Sequence, residues 1–169
     1  MKTTLLLAAA ALLPLAGHAQ TPAAAPAADI AVTGAYARSS NPQTGAAFMI
    51  IANGGSRDCA LTGAATDMAD TAELHTSKEE GGVMRMLPVE SIPLAAGATH
   101  ELARGGDHIM MMGLKQPLKD GDHVALTLDF GDCGSVALDV TVDNRAGMGK
   151  PMGGMDHGQM HGHGTAPAN

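Results

Sequence analysis

This sequence predicts an all-β domain, an antiparallel sandwich or small barrel, and three features predict it. Apolar runs of strand length recur through the middle of the chain, as in "AAFMIIAN" and "DHVALTLDF". Glycine, aspartate and asparagine separate them, in "NGGSRD", "EEGG", "ARGGD", "KDGD" and "FGDCGS". A helical period is nowhere sustained over twelve residues; only Asp67 to Glu73 hints at one.

The first nineteen residues stand apart from the fold. They open with Lys2, continue through an apolar run from Leu5 to Leu15 and end in small residues at Gly17 and Ala19. This is the pattern of a cleaved secretory signal peptide, and the run is too short to span a bilayer. No other segment approaches eighteen apolar residues. The mature protein is therefore expected to be exported without a membrane span, into a bacterial periplasm. Residues 20–28, "QTPAAAPAA", read as a Pro/Ala-rich spacer.

The β-domain is expected over residues 29–144. Its strands are "IAVTGAYA", "AAFMIIAN", "CALTGAA", "GVMRMLPV", "THELARG", "DHIMMMGL", "DHVALTLDF" and "SVALDVTVD". "VALTLDF" and "VALDVTV" alternate apolar and polar residues, as half-buried strands do. The intervening Gly and Asp-Gly residues supply the positive φ that tight turns require. Residues 145–169 have no apolar periodicity and many glycines, so they read as a flexible tail rich in methionine and histidine.

The formal charge of −7, or −8 once Lys2 leaves with the signal, argues against nucleic acid or anionic lipid as a partner. The aromatics are Tyr36, Phe48 and Phe130, too few for a module that stacks rings on sugars. The core must come from Val, Leu, Ile, Ala and Met. Cys59 and Cys133 in an exported chain suggest a disulfide, with two separate buried thiols as the alternative. No phosphate-binding loop, Ser-His-Asp order or GxSxG stands in the chain, and its carboxylates look like solvated turn residues rather than a catalytic pair.

The chemistry lies in "HIMMMGL", residues 108–114. On a strand His108, Met110 and Met112 share one face. Met111 and Met112 read as core filler, which methionine does well. His108 and Met110 instead place an imidazole and a thioether one strand step apart, a spacing that suits two donors to one ion. His75 in "ELHTS" and the pair Met84 and Met86 in "GGVMRMLPV" supply further donors. His100 and His123 read as surface or packing histidines, and Met49 and Met68 as core.

Ten residues separate His75 from Met86, 21 separate Met86 from His108, and one separates His108 from Met110. In this spacing, and in "AELHTS", "GGVMRMLPV", "HIMMMGLKQPLKDGDHVALTLDF" and the "NGG" after "AAFMIIAN", the sequence resembles the periplasmic copper(I) chaperones of the PCu(A)C family. The resemblance covers roughly Ile30 to Val142. It implies a cupredoxin-like antiparallel Greek-key β-barrel or sandwich. It also implies Cu(I) held by His75, Met86, His108 and Met110, with delivery to the binuclear copper centre of cytochrome c oxidase during assembly. The oxidase copper subunit, or another copper carrier, would then be the partner. Many members carry Met directly after the first His; Thr76 stands there in this chain.

The donor chemistry agrees with the resemblance. Two imidazoles and two thioethers are neutral, and soft sulfur selects Cu(I) over Zn(II), Mg(II) or Ca(II). Thioethers cannot be lost to disulfide formation, and they release copper more readily than thiolates. Such a set suits a carrier better than a catalyst, so no enzymatic activity is expected. Copper storage or detoxification is the leading alternative. A copper oxygenase is a further one; many of these use an N-terminal His as ligand, whereas Gln20 is the mature N-terminus expected for this chain. A plain interaction module with coincidental methionines is the last. The tail adds Met148, Met152, Met155, His157, Met160, His161 and His163, four methionines and three histidines within 18 residues. Imidazoles suit Cu(II) as well as Cu(I), so a second copper element that takes Cu(II) is expected there.

Overall fold

The computed structural model describes Ala27 and residues 29–146. The expected signal peptide, most of the spacer, and the seven tail donors from Met148 to His163 lie outside the described residues. The strands are β1 (Ile30–Asn41), β2 (Thr44–Asn53), β3 (Cys59–Leu61), β4 (Gly63–Ala65), β5 (Ala69–Glu80), β6 (Val83–Pro88), β7 (Ile92–Leu94), β8 (Thr99–Leu102), β9 (His108–Leu114), β10 (His123–Asp129) and β11 (Ser135–Val142). A 3-10 turn, Gly131–Cys133, joins β10 to β11, and no α-helix occurs among the described residues.

One sheet runs in the order β4-β10-β11-β1-β2-β9-β5-β6, with β8 also paired to β2, while β3 and β7 form a small second sheet. The large sheet does not close into a barrel; β4 and β6 are its edges. Its pairs are antiparallel except β1 with β11, which run parallel with Tyr36 beside Thr141 and Ala37 beside Val142. The parallel pair arises because the β10–β11 hairpin returns the last strand alongside the first in the same direction.

Two local expectations change. The hint of a helix at Asp67 to Glu73 falls in a turn and the start of β5, a twelve-residue strand. Asp70, Thr71, Glu73, Lys78, Glu79 and Glu80 are exposed and only Ala69 and Leu74 are fully buried, so the sequence shows no apolar run there. "CALTGAA" is two strands: Thr62 donates its backbone N–H to Asp129 O (2.8 Å), and β3 and β4 go to different sheets.

The large sheet lays one face on the core. Ala47, Met49, Ile51, Leu74, Ile109 and Met111 from its centre join Leu61, Ile92 and Leu94 of the small sheet and Val124, Leu126 and Leu128 of β10 in one cluster. Asn53 is buried among them at 2% exposure and is fully satisfied. Its Nδ2 donates to Arg57 O, Leu94 O and Ala95 O, and its Oδ1 accepts from Gly55 N. This explains the Asn of "NGG": the amide pins the β2 end to the small sheet, where an apolar side chain would orphan the backbone carbonyls. Cys59 and Cys133 are bridged, with Cα atoms 6.0 Å apart, and so tie β3 to the 3-10 turn.

The β5–β6 hairpin sets the register on which the site depends. Glu80 pairs with Val83, leaving Gly81 and Gly82 as a two-residue loop, both at positive φ (62° and 80°). That turn matches the strand twist and admits glycine at both positions without strain. It places Met84 opposite Glu79, Met86 opposite Ser77 and Pro88 opposite His75.

Candidate metal centre

The face of the sheet away from the core carries the candidate donors. His75 on β5 lies directly opposite His108 on β9, and Glu73 lies opposite Met110. Residues opposite one another on antiparallel strands point to the same face, about 5 Å apart at Cβ. The two imidazole centroids are 5.9 Å apart, with the rings inclined by 51°. Met110 stands one same-face step along β9, and Met112, opposite Thr71 and Thr44, one step further. Met111 is fully buried on the opposite face, as core filler should be, whereas Met112 is half-buried on the donor face.

A row of rings backs the histidine pair. Phe48 on β2 stacks on Tyr36 of β1 at 5.1 Å and faces the His108 ring at 6.1 Å. Phe48 is 6% and His108 3% exposed, so His108 is seated between a phenyl wall and its partner imidazole. Its Nδ1 is 3.0 Å from Gly106 O, a carbonyl that also accepts the Ser77 backbone N–H at 3.1 Å. Since a carbonyl only accepts, Nδ1 is the protonated nitrogen and the Nε2 lone pair points elsewhere.

That lone pair has no partner. His108 Nε2 and His75 Nδ1 are both buried and both without a hydrogen bond. An unsatisfied buried nitrogen costs roughly 1–3 kcal/mol and is seldom kept without a use. Two such atoms, on facing rings of one sheet face, are what a metal ion would satisfy. Among the described residues no group of three or more His, Cys, Asp or Glu side chains is placed to share an ion. Beside the two histidines this face carries the thioethers of Met84, Met86, Met110 and Met112 and the carboxylate of Glu73.

Met86 is the donor held furthest out. It lies on edge strand β6, is 62% exposed, and sits one pair step from His75 toward the glycine turn, whereas Met110 is displaced toward the other end. Met84, 55% exposed, lies a further step toward the turn. His75 and His108 are thus brought together with Met110 beside them, and Met86 must turn inward to join them. Among the described residues the other two histidines are engaged elsewhere: His100 with Asp107 (2.9 Å) and His123 with Asp139 (2.8 Å).

Sequence reasoning passed over Glu73, whose Oε2 is 3.3 Å from His75 Nε2, and Tyr36 and Phe48, which wall the site. Glu73 was within reach of the alternation rule that links His108 to Met110, because Glu73 and His75 are also two apart. The aromatics carried no such signal, since only strand pairing sets β2 beside β9 and β1 beside β2.

The family model "Putative lipoprotein LpqE-like" matches residues 30–142. "Putative lipoprotein Lxx21020" of Leifsonia xyli subsp. xyli (strain CTCB07) is 34% identical over 134 residues, covering 79% of this chain and 80% of that protein. Among solved structures, apo-DR1885 from Deinococcus radiodurans is 33% identical, with a TM-score of 0.53 over 83% of this chain and 95% of that one. Its Cu(I) form is 35% identical, with a TM-score of 0.51 over 68% and 80%. The copper-bound PCuAC domain from PmoF2 shares the fold at a TM-score of 0.58 and 18% identity, over 71% of this chain and 97% of that one. With a family model spanning the whole strand-bearing region and a cupredoxin-like β fold shared with PCuAC domains, this chain belongs to the LpqE-like family and is of the PCuAC type.

Proposed function

We propose that this protein is a periplasmic carrier of Cu(I), not an enzyme, and that it delivers the ion to the binuclear copper centre of cytochrome c oxidase. The observation that carries the reading is the pair of buried, unpartnered nitrogens, His75 Nδ1 and His108 Nε2, on rings whose centroids are 5.9 Å apart. His75, Met86, His108 and Met110 are the proposed ligands. Both imidazoles come from adjacent strands, so that half of the site is preformed. The exposed thioether of Met86 completes it from the rim, where a partner can compete for the ion. Neutral nitrogen and thioether donors favour Cu(I) and leave it transferable. The Cu(I)-bound form of DR1885 supports the choice of ion. A disulfide and a relative named as a lipoprotein support a location outside the cytoplasm.

Anaerobic Cu(I) titration against a chromophoric chelator tests the reading, with X-ray absorption to count sulfur and nitrogen neighbours. One tight equivalent with two nitrogens and two sulfurs is expected, followed by transfer to the purified oxidase copper subunit. Several equivalents without transfer would favour storage or detoxification. Met86→Ala should lower Cu(I) affinity at least about 10-fold, as loss of even an outer-shell partner commonly does. It should leave the melting temperature unchanged, because the side chain is 62% exposed. Lost folding with copper affinity kept would make Met86 a packing residue.

The tail is proposed as a second element that takes Cu(II) through His157, His161 and His163, with Met148, Met152, Met155 and Met160 available to Cu(I). Truncation after Asn144 should abolish Cu(II) binding and leave the single Cu(I) equivalent. Equal Cu(II) binding by both forms would remove the tail from the function.

A further inference from the structure

We infer that Glu73 is the positioning residue of the site, so that His75 binds copper through Nδ1 while His108 binds through Nε2. The inference rests on the copper reading above and assigns the nitrogens within it. A neutral imidazole has one N–H and one lone pair, and what the first nitrogen donates to decides where the second one points. His108 illustrates the rule with a backbone acceptor, Gly106 O at 3.0 Å from Nδ1. His75 has the opposite arrangement: Nε2 is 3.3 Å from Glu73 Oε2, and Nδ1 is the buried nitrogen without a partner.

An ionised carboxylate accepts and cannot donate, so the shared proton belongs to His75 Nε2. Its lone pair is then on Nδ1, on the buried side. Glu73 and His75 are two apart on β5 and share a face, and Glu73 is also the cross-strand neighbour of Met110. The carboxylate therefore stands beside two of the proposed ligands and holds the ring of one of them. The Glu73 side chain is 45% exposed against 12% for His75, so it contributes little to the core. Carboxylate partners of this kind fix the tautomer and orientation of a ligating histidine and raise its basicity, and their loss costs about 10–100-fold in metal affinity.

The test uses the full chain, 15N-labelled and loaded anaerobically with Cu(I), which is diamagnetic. Long-range proton–nitrogen spectra should show the metal shift on His75 Nδ1 and His108 Nε2, with His75 Nε2 still protonated. Glu73→Ala should lower Cu(I) affinity about 10-fold or more, with the thermal midpoint kept. Glu73→Gln retains a carbonyl acceptor at the same reach and should recover most of that loss, which a merely structural role would not predict. A metal shift on His75 Nε2, or wild-type affinity in Glu73→Ala, would overturn the inference while the copper site stands. If neither imidazole responds to Cu(I), the copper reading fails and the inference falls with it.

Discussion

Replacing His108 by alanine should lower Cu(I) affinity by more than the roughly 100-fold that marks the upper range for outer-shell partners. The ring is the better fixed of the two imidazoles. Gly106 O holds its Nδ1, the tilted Phe48 ring lies 6.1 Å from it, and only 3% of the residue is exposed. Copper therefore meets a donor whose orientation was settled on folding, and little ordering remains to oppose binding. Alanine removes the donor and also leaves a space beside Phe48, so a stability loss of about 1–3 kcal/mol should accompany the lost affinity. The two effects separate experimentally: affinity is measured by chelator competition well below the melting temperature of the variant, where the domain is folded. His75→Ala should show a comparable affinity loss with less destabilisation, because its side chain is 12% exposed. Near wild-type Cu(I) binding in the His108 variant would remove this face of the sheet as the copper site.

The double variant Cys59→Ser, Cys133→Ser should be destabilised more than any of the ligand variants. The bridge closes a loop with a sequence separation of 74, for which the chain-entropy relation gives about 4–5 kcal/mol. For a domain of this size that corresponds to a drop of about 15–20 °C in melting temperature. The bridge joins β3 to the turn before β11, and neither element carries a proposed ligand. Chemical denaturation should therefore show a lower midpoint, while the Cu(I) affinity of the folded variant stays at the wild-type value. Loss of copper affinity in a variant that is still folded would mean that the bridge shapes the site itself.

The sequence was most legible where a local rule acts alone. Alternation in "VALTLDF" and "VALDVTV" marks β10 and β11, and turn glycines mark most boundaries, because side-chain direction on a strand depends only on residue parity. The same parity places His108 with Met110, and Met84 with Met86, before any pairing is known. It failed for β5, the strand that carries His75 and Glu73, because its polar outward face interrupts the apolar signal. The parallel contact of β1 with β11 also left no local trace, since strand direction within a sheet follows from the path of the whole chain.

The amino-acid sequence by itself determined the donor types, their spacing and the face each occupies on its own strand. Chemical hardness is a property of the side chain, and parity a property of the extended backbone. Only the tertiary structure decided which donors meet. Sheet order puts β9 next to β5, and their register sets His75 opposite His108 rather than one residue away, where the ring would turn into the core. It also decided which nitrogen of each ring is left unpaired, through Gly106 O and Glu73, and it left Met86 exposed on an edge strand. The meeting of the two histidines depends on pairing between segments distant in the chain, and nothing in the residues of either strand alone encodes the register between them.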